Sequence, residues 1–436
     1  MLASILGFAA LFALVLLRIP IAFAMILVGT AGFAALRNWH ASLTLTGNAA
    51  FDTVLSFTLA VIPLFVLMGN FLTISGVSDA LFSSAHRLLH RLRGGLAMST
   101  VVACGGFSAV CGSSLATAAT MSKVAMPTMR KSGYDDSLAT GSIAAGGTLG
   151  ILIPPSVVLI IYGLLTEADI GKLFIAGILP GLLGVVMYVL AVAVTVRLRP
   201  GLAPTEADST PMTGHELRGV LLVIALFAVI MIGIYGGIFS PSEAAAIGAL
   251  SSAIIAATTP KMTLGRMLGA CTNAARTTAM IFALIIGAQV FSNFVSYAGL
   301  PAAILEWVTG MQLGPYTVIF ALVVIYIVLG AVLESLSMIL LTVPVFYPLV
   351  MSLDFGGGWL ADPAHVAIWF GILVVVVTEI SLISPPIGLN VFVLRSVLTD
   401  VPLGTIFKGI LPFWIADLLR LAILIALPVV SLLLIG

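Results

Sequence analysis

The sequence predicts an all-helical, polytopic membrane protein, and three observations predict it. Of its 436 residues, 61% are hydrophobic and only 8% are charged, where a soluble domain carries roughly 25% charged residues. The apolar residues form runs that are apolar on every face, such as residues 221–232 and 319–329, which excludes the in–out alternation of an outer-membrane barrel. At about 20 residues per crossing, the chain has room for ten or more spans. A mean hydropathy of +1.24 excludes a cytosolic enzyme. With 18 Lys and Arg against 17 Asp and Glu, no basic surface exists to neutralise a nucleic-acid backbone.

Apolar runs and their breakers place spans near residues 2–17, 20–36, 51–74, 136–153, 155–166, 171–197, 217–235, 240–258, 272–297, 363–383 and 410–434. The first run lacks a basic n-region and an A-x-A cleavage pattern, so it is expected to be a retained span and not a removed leader. The one extended polar segment, residues 197–218 with Pro200, Pro204 and Pro211, reads as a linker between two halves. Cys104, Cys111 and Cys271 lie among apolar or small residues without CxxC spacing and read as small core residues.

Two further stretches, 94–131 and 314–352, are each long enough for two helices but are interrupted by small or polar residues. Basic residues flank the first at both ends: Arg87, Arg91 and Arg93 before it, Arg130 and Lys131 after it. Because basic loops stay cytoplasmic, a segment that starts and ends on one side is expected to be a re-entrant hairpin. No Lys or Arg lies between Arg276 and Arg395, while Glu306, Asp354 and Asp362 flank the second stretch, so that hairpin is expected to enter from outside. Three spans before the basic arm place the N-terminus outside. His86 and His90 have metal-ligand spacing, but the interleaved arginines favour an amphipathic arm on the lipid surface.

The two stretches are copies. Ser114 and Ser335, and likewise Pro127 and Pro348, are separated by 221 positions. Downstream, Gly147 through Pro154-Pro155 pairs with Thr378 through Pro385-Pro386 at an offset of 231, the ten extra residues falling near Gly356-Gly357-Gly358. Inverted repeats with discontinuous helices at the midplane are a transporter architecture. In hydrocarbon every backbone group must be satisfied, so an unwound Gly-Ser or Pro-Pro segment survives where it lines a cavity or coordinates something. Released carbonyls with Ser and Thr hydroxyls make a neutral oxygen cage suited to a hard monovalent cation, while half-helix N-termini offer amides to an anion. The alternative, small residues that only let helices pack closely, explains one such run better than two matched ones.

Intramembrane carboxylates are candidates by default. Glu334, at the second break, and Glu379, in the second broken span, are each placed to titrate, contact a cation or cap a half-helix. Glu243 follows Ser240-Pro241-Ser242, a helix-start pattern that reads as a cap. Glu167 reads as a span end, and Arg276 as a snorkelling side chain or a carboxylate partner.

Gly112-Ser113-Ser114-Leu115-Ala116-Thr117-Ala118-Ala119-Thr120, Gly133-Tyr134-Asp135 and Gly146-Gly147-Thr148-Leu149-Gly150-Ile151-Leu152-Ile153-Pro154-Pro155-Ser156 closely resemble the large membrane subunit, of the DctM type, of tripartite ATP-independent periplasmic (TRAP) transporters. Ile62-Pro63-Leu64-Phe65, Pro241-Ser242-Glu243-Ala244 and Pro385-Pro386-Ile387-Gly388-Leu389-Asn390 extend the resemblance essentially end to end. The resemblance implies an inverted-repeat elevator of the ion-transporter superfamily, in the bacterial inner membrane, driven by a sodium gradient and without an organic cofactor. Its implied partners are a small four-helix membrane subunit, an extracytoplasmic binding protein and the organic anion it delivers, such as a C4-dicarboxylate or sugar acid.

By similarity, sodium is expected near Cys111, Ser113, Ser114, Gly147 and Gly150, and near Gly330, Ser335, Thr378 and Ser381. Gly112, Pro154, Pro155, Glu334, Pro385, Pro386 and Asn390 are expected at the half-helix breaks along the substrate pathway. Cys111 stands where the family commonly has Ser, so only its carbonyl would serve as a ligand. No small-subunit sequence is fused at the N-terminus, so that partner is expected as a separate chain. The expected units are scaffold helices and a basic arm (1–93), a first transport half (94–170), scaffold with the linker 198–216 (171–310), a second transport half (311–400) and a C-terminal span (401–436).

Other readings are a carboxylate symporter coupled to sodium or protons that needs no binding protein, a passive channel, and an efflux or exchange carrier. An intramembrane enzyme using Ser113 or Ser114 as nucleophile lacks a nearby activating base, since Lys123 sits toward the basic flank.

Overall fold

The computed structural model describes residues 2–204, 214–259 and 262–436. Residues 205–213, the middle of the expected linker with Pro211, lie outside the described residues. Among the described residues, five helices are individually long and apolar enough to cross a membrane, and shorter apolar helices accompany them.

The fold is one helical pattern written twice. Leu2–Leu16 corresponds to Gly214–Tyr235, Ile21–Leu36 to Pro241–Ala257, and Val77–Leu89 to Leu300–Gly310. The first hairpin, Gly95–Cys111 and Ser114–Lys131, corresponds to the second, Pro315–Gly330 and Ser335–Met351. Each hairpin is followed by a helix that breaks at Pro-Pro and restarts: Asp136–Thr148 then Val157–Thr166, and Pro363–Ile383 then Leu389–Val397. One long helix closes each pattern, Ile170–Leu198 and Leu403–Ala426.

The copies interlock because their helices exchange partners. Ile21–Leu36 packs on Leu264–Tyr297, and Val61–Ile74 packs on Pro241–Ala257. Glycines set these approaches: a Cβ on Gly29 would lie 2.8 Å from the Phe291 backbone nitrogen, and one on Gly287 2.6 Å from the Ala22 carbonyl oxygen. Leu403–Ala426 lies along Asp136–Thr148 in the same way, where a Cβ on Gly409 would collide with the Ser137 carbonyl. Close backbone approach at small residues is how helices associate when no hydrophobic effect separates protein from lipid.

Three expected boundaries move. The span expected at 51–74 straddles the bend of a bent pair: Trp39–Leu55, capped by Asn38 accepting from the Ala41 amide, meets Thr58–Ile74 at 60°. Thr44, Thr46, Asn48 and Asp52 interrupt the apolar run of the earlier limb and concealed it. The span expected at 272–297 starts at Leu264, where Thr263 caps it. The span expected at 410–434 runs from Leu403 to Ala426 and stops before Leu427-Pro428, because proline has no amide to continue the ladder.

At the basic end of the molecule, Arg130 binds Asp136 at 2.8 and 2.9 Å and Asp400 at 2.6 Å, tying the end of the first hairpin to the start of the C-terminal helix. The Arg130 guanidinium holds the Asp400 carboxyl below its ordinary range. The Asp135 amide donates to the Leu202 carbonyl at 3.0 Å, bringing the end of Ile170–Leu198 to the same place.

Inside, four broken or closing helices meet at a buried charged cluster. Arg420 pairs with Glu379 and, at 3.0 Å, with Asp417; all three side chains are fully buried. Tyr188 donates to Asp417 at 2.5 Å and shares a 3.2 Å hydrogen bond with Thr148. Gly184 leaves the room that the guanidinium occupies, since a Cβ there would collide with Arg420 Nη1. Thr148 and Glu379 are equivalent at the offset of 231 (379 − 148), so the cluster joins the same point of both copies.

Breaking a buried ion pair by removing one partner costs about 3–5 kcal/mol, because a charge is stranded. Arg420→Met, which strands two carboxylates, is therefore expected to destabilise the purified chain more than Glu379→Gln, read as loss of Tm. Gly409→Ala is expected to cost about 1–3 kcal/mol by overpacking, while Gly404→Ala, with open space around it, leaves Tm unchanged.

Candidate functional site

The first hairpin turns at two residues. Gly112 takes a left-handed conformation, φ 60°, which ends Gly95–Cys111, and Ser113 is extended and caps the next helix by accepting from the Ala116 amide at 3.4 Å. The second hairpin turns through Ala331-Val332-Leu333, and Glu334 is its cap, accepting from the Ser337 amide at 3.4 Å and the Ser337 hydroxyl at 3.3 Å. Ser113 and Glu334 are 221 positions apart (334 − 113), so one cap position holds a neutral hydroxyl in one copy and a carboxylate in the other. Of the roles open to Glu334, the structure displays the cap. Glu379 is fully buried and pairs with Arg420, a partner the sequence did not single out.

Each tip is seated on the broken span of its own copy. A Cβ on Gly150 would lie 3.2 Å from Ser108 Oγ and 3.3 Å from the Ser113 carbonyl oxygen, and one on Gly147 3.0 Å from Ala118 Cβ. Gly112 faces the Pro155 carbonyl oxygen, 3.2 Å from where its Cβ would be. Ser108 Oγ is buried and has no hydrogen-bond partner among the described residues. The structure thus brings Gly112, Ser113, Gly147, Gly150 and Pro155 together, and adds Ser108, whose position one turn before Cys111 was the only signal for it. Ser114 is buried in the first turn of its helix, and the half-buried Cys111 carries a free thiol near Thr73.

In the second copy, Gly330 packs on Ser381 so closely that a Cβ would collide with the Ser381 side chain. Ser381 donates to the Thr378 carbonyl and Thr378 to the Val374 carbonyl, each at 2.7 Å. With their protons directed into the helix, these hydroxyls keep oxygen lone pairs as acceptors. Ser335 donates to Glu334 at 3.4 Å. Hydroxyl and carbonyl oxygens fit a hard monovalent cation in both copies, with one carboxylate added in the second. In the first, the unpartnered Ser108 hydroxyl beside the Ser113 carbonyl is the kind of buried group that a cation satisfies.

The breaks differ in exposure. Pro154 and Pro155 are buried, whereas Pro385 and Pro386 are exposed; both Pro-Pro bonds are cis. Asn390 is fully buried and reaches across to the first copy, donating to the Ala144 carbonyl at 3.0 Å while its Oδ1 has no partner among the described residues. Glu243 forms a capping box with Ser240. Arg276 is exposed on Leu264–Tyr297.

The family described as "Tripartite ATP-independent periplasmic transporter, DctM component" matches residues 8–430. The "C4-dicarboxylate TRAP transporter large permease protein DctM" of Pseudomonas aeruginosa is 36% identical over 386 residues, 88% of this chain and 87% of that protein. The "Sialic acid TRAP transporter large permease protein SiaM" of Vibrio cholerae is 28% identical over 416 residues, 95% of this chain and 94% of that one. Among solved structures, the YdaH transporter of Alcanivorax borkumensis, described as having an unusual topology, is similar in fold with a TM-score of 0.61 at 18% identity, covering 88% of this chain and 87% of that one. The duplicated hairpin-and-break pattern described above is accordingly that of a transport protein, and the chain belongs to the DctM-component family of tripartite ATP-independent periplasmic transporters.

Proposed function

We propose that the chain is the membrane-spanning large permease that imports an organic anion on a sodium gradient, by an elevator movement of the two hairpins and their broken spans, together with the helices Ile170–Leu198 and Leu403–Ala426 that the buried cluster ties to them, against the other helices. One observation carries the reading: two matched hairpin tips each rest on the broken span of their own copy, among hydroxyl and carbonyl oxygens with a carboxylate added in the second, and one Pro-Pro break is buried while the other is exposed. A carrier with alternating access needs such a difference between its two sides; a continuous pore does not. The partners are a small four-helix membrane subunit and an extracytoplasmic binding protein, in the bacterial inner membrane, with the hairpins re-entering from opposite faces.

Sodium occupies the cages formed around Ser108, Ser113, Gly147 and Gly150, and around Gly330, Ser335, Thr378 and Ser381. The capping groups divide the remaining work. Glu334 already fills the N-terminal end of Ser335–Met351 with a carboxylate, so an anionic substrate is favoured at the end of Ser114–Lys131, which is capped only by neutral Ser113. The anion class rests on relatives named for a C4-dicarboxylate and for sialic acid, both carboxylates.

Uptake into proteoliposomes with the small subunit and the binding protein tests this reading. Ser114→Trp and Ser335→Trp are each expected to abolish sodium-driven uptake while membrane insertion persists; normal uptake in both sinks the two-cage scheme. Uptake that continues without the binding protein would favour a self-sufficient symporter. Glu334→Gln is expected to change sodium affinity or the pH dependence of uptake more than Glu243→Gln does, and equal, negligible effects would leave Glu334 a cap only.

A further inference from the structure

A groove of about 470 Å³ runs along the outside of the molecule between Ile170–Leu198 and Leu403–Ala426. Its walls are apolar and outward-facing: Leu190 and Val194 on one helix, Leu411 and Ile415 on the other, each 48–56% exposed. Arg199 and Lys408 line the same groove, both exposed, and among the described residues neither forms an ion pair. They stand at one end of it, since Arg199 follows the last turn of the first helix and Lys408 lies near the start of the second.

The dimensions are those of one leaflet. From Lys408 to Leu419 the groove follows eleven residues of helix (419 − 408), about 16 Å at 1.5 Å per residue, and half of a hydrocarbon core of about 30 Å is about 15 Å. The charged end is the basic end of the molecule, where Arg130 and the chain at Leu202 also meet. Clusters of basic side chains beside membrane helices on the cytoplasmic face recognise anionic headgroups.

We propose that this groove is a binding site for an anionic glycerophospholipid, its phosphate held by Arg199 and Lys408 and its acyl chains laid along the apolar walls. The groove's two helices carry Tyr188, Asp417 and Arg420 on their other faces. A lipid across both would hold together the pair on which the buried cluster depends.

The test uses the purified full chain in nanodiscs of phosphatidylcholine, with and without phosphatidylglycerol of the same acyl chains. Phosphatidylglycerol is expected to raise Tm by about 3 °C or more, as saturation of a folded-state site does, and to remain bound in native mass spectrometry. The paired change Arg199→Gln with Lys408→Gln should abolish the shift, measured against that variant's own Tm in phosphatidylcholine, and lower lipid retention several-fold. Arg199→Lys with Lys408→Arg, which keeps both charges, should preserve it, as should Arg91→Gln with Arg93→Gln on the basic arm. An undiminished shift in the Gln pair, an equal loss in the Arg91 and Arg93 pair, a shift reproduced by soluble glycerol phosphate, or a protein chain retained on the groove in place of lipid would each overturn the proposal.

Discussion

The arrangement of the broken helices depends on the buried cluster of Glu379, Arg420, Asp417 and Tyr188. Two carboxylates around one guanidinium, all fully buried, make an expensive arrangement for a protein interior. Its value lies in connectivity, because each member comes from a different helix or from the opposite end of a helix turn. Thr148 and Tyr188 enter from the first copy, Glu379 and the Asp417–Arg420 pair from the second. A broken span cannot hold its own direction through a Pro-Pro interruption. Here the segment before each interruption is pinned at the same depth, by Thr148 on one side and Glu379 on the other, with Tyr162 donating to the Ala367 carbonyl at 2.6 Å and Asn390 to Ala144 as further ties between copies.

Much of this was legible in the sequence because hydrocarbon simplifies the rules. With water absent, an interruption such as Gly112-Ser113 or Pro385-Pro386 must be compensated, so its repetition at a fixed spacing located both hairpins and both breaks. The capping box at Ser240 and Glu243 was equally readable, since its geometry is local. What escaped was whatever depends on partners distant in sequence. Asp417 and Arg420 form an i, i+3 pair in an apolar helix, a visible signal, yet only the fold reveals that Glu379 completes it. Trp39–Leu55 was hidden because its polar residues break the apolar run, although a helix at a bend does not need one.

Glycine placement explains how two copies fit inside one chain. Gly29, Gly287 and Gly409 stand where one helix meets another copy's backbone, while Gly147, Gly150 and Gly330 stand where a span meets its own hairpin tip. The same residue type therefore serves two purposes, and position decides which. At the first set a side chain would push the copies apart. At the second it would fill the space in which the Ser113 carbonyl, the Ser108 hydroxyl and the Ser381 side chain stand.

The unequal exposure of the two Pro-Pro pairs has a wider meaning. Two Pro-Pro breaks at matching positions of the copies occupy different surroundings, one enclosed and one open. The flanking residues differ as well, Ile153 and Ser156 against Ser384 and Ile387, so the two breaks share a backbone plan and not an environment. One backbone plan thus serves as a closed seat in one copy and an open one in the other, within a single arrangement of the chain.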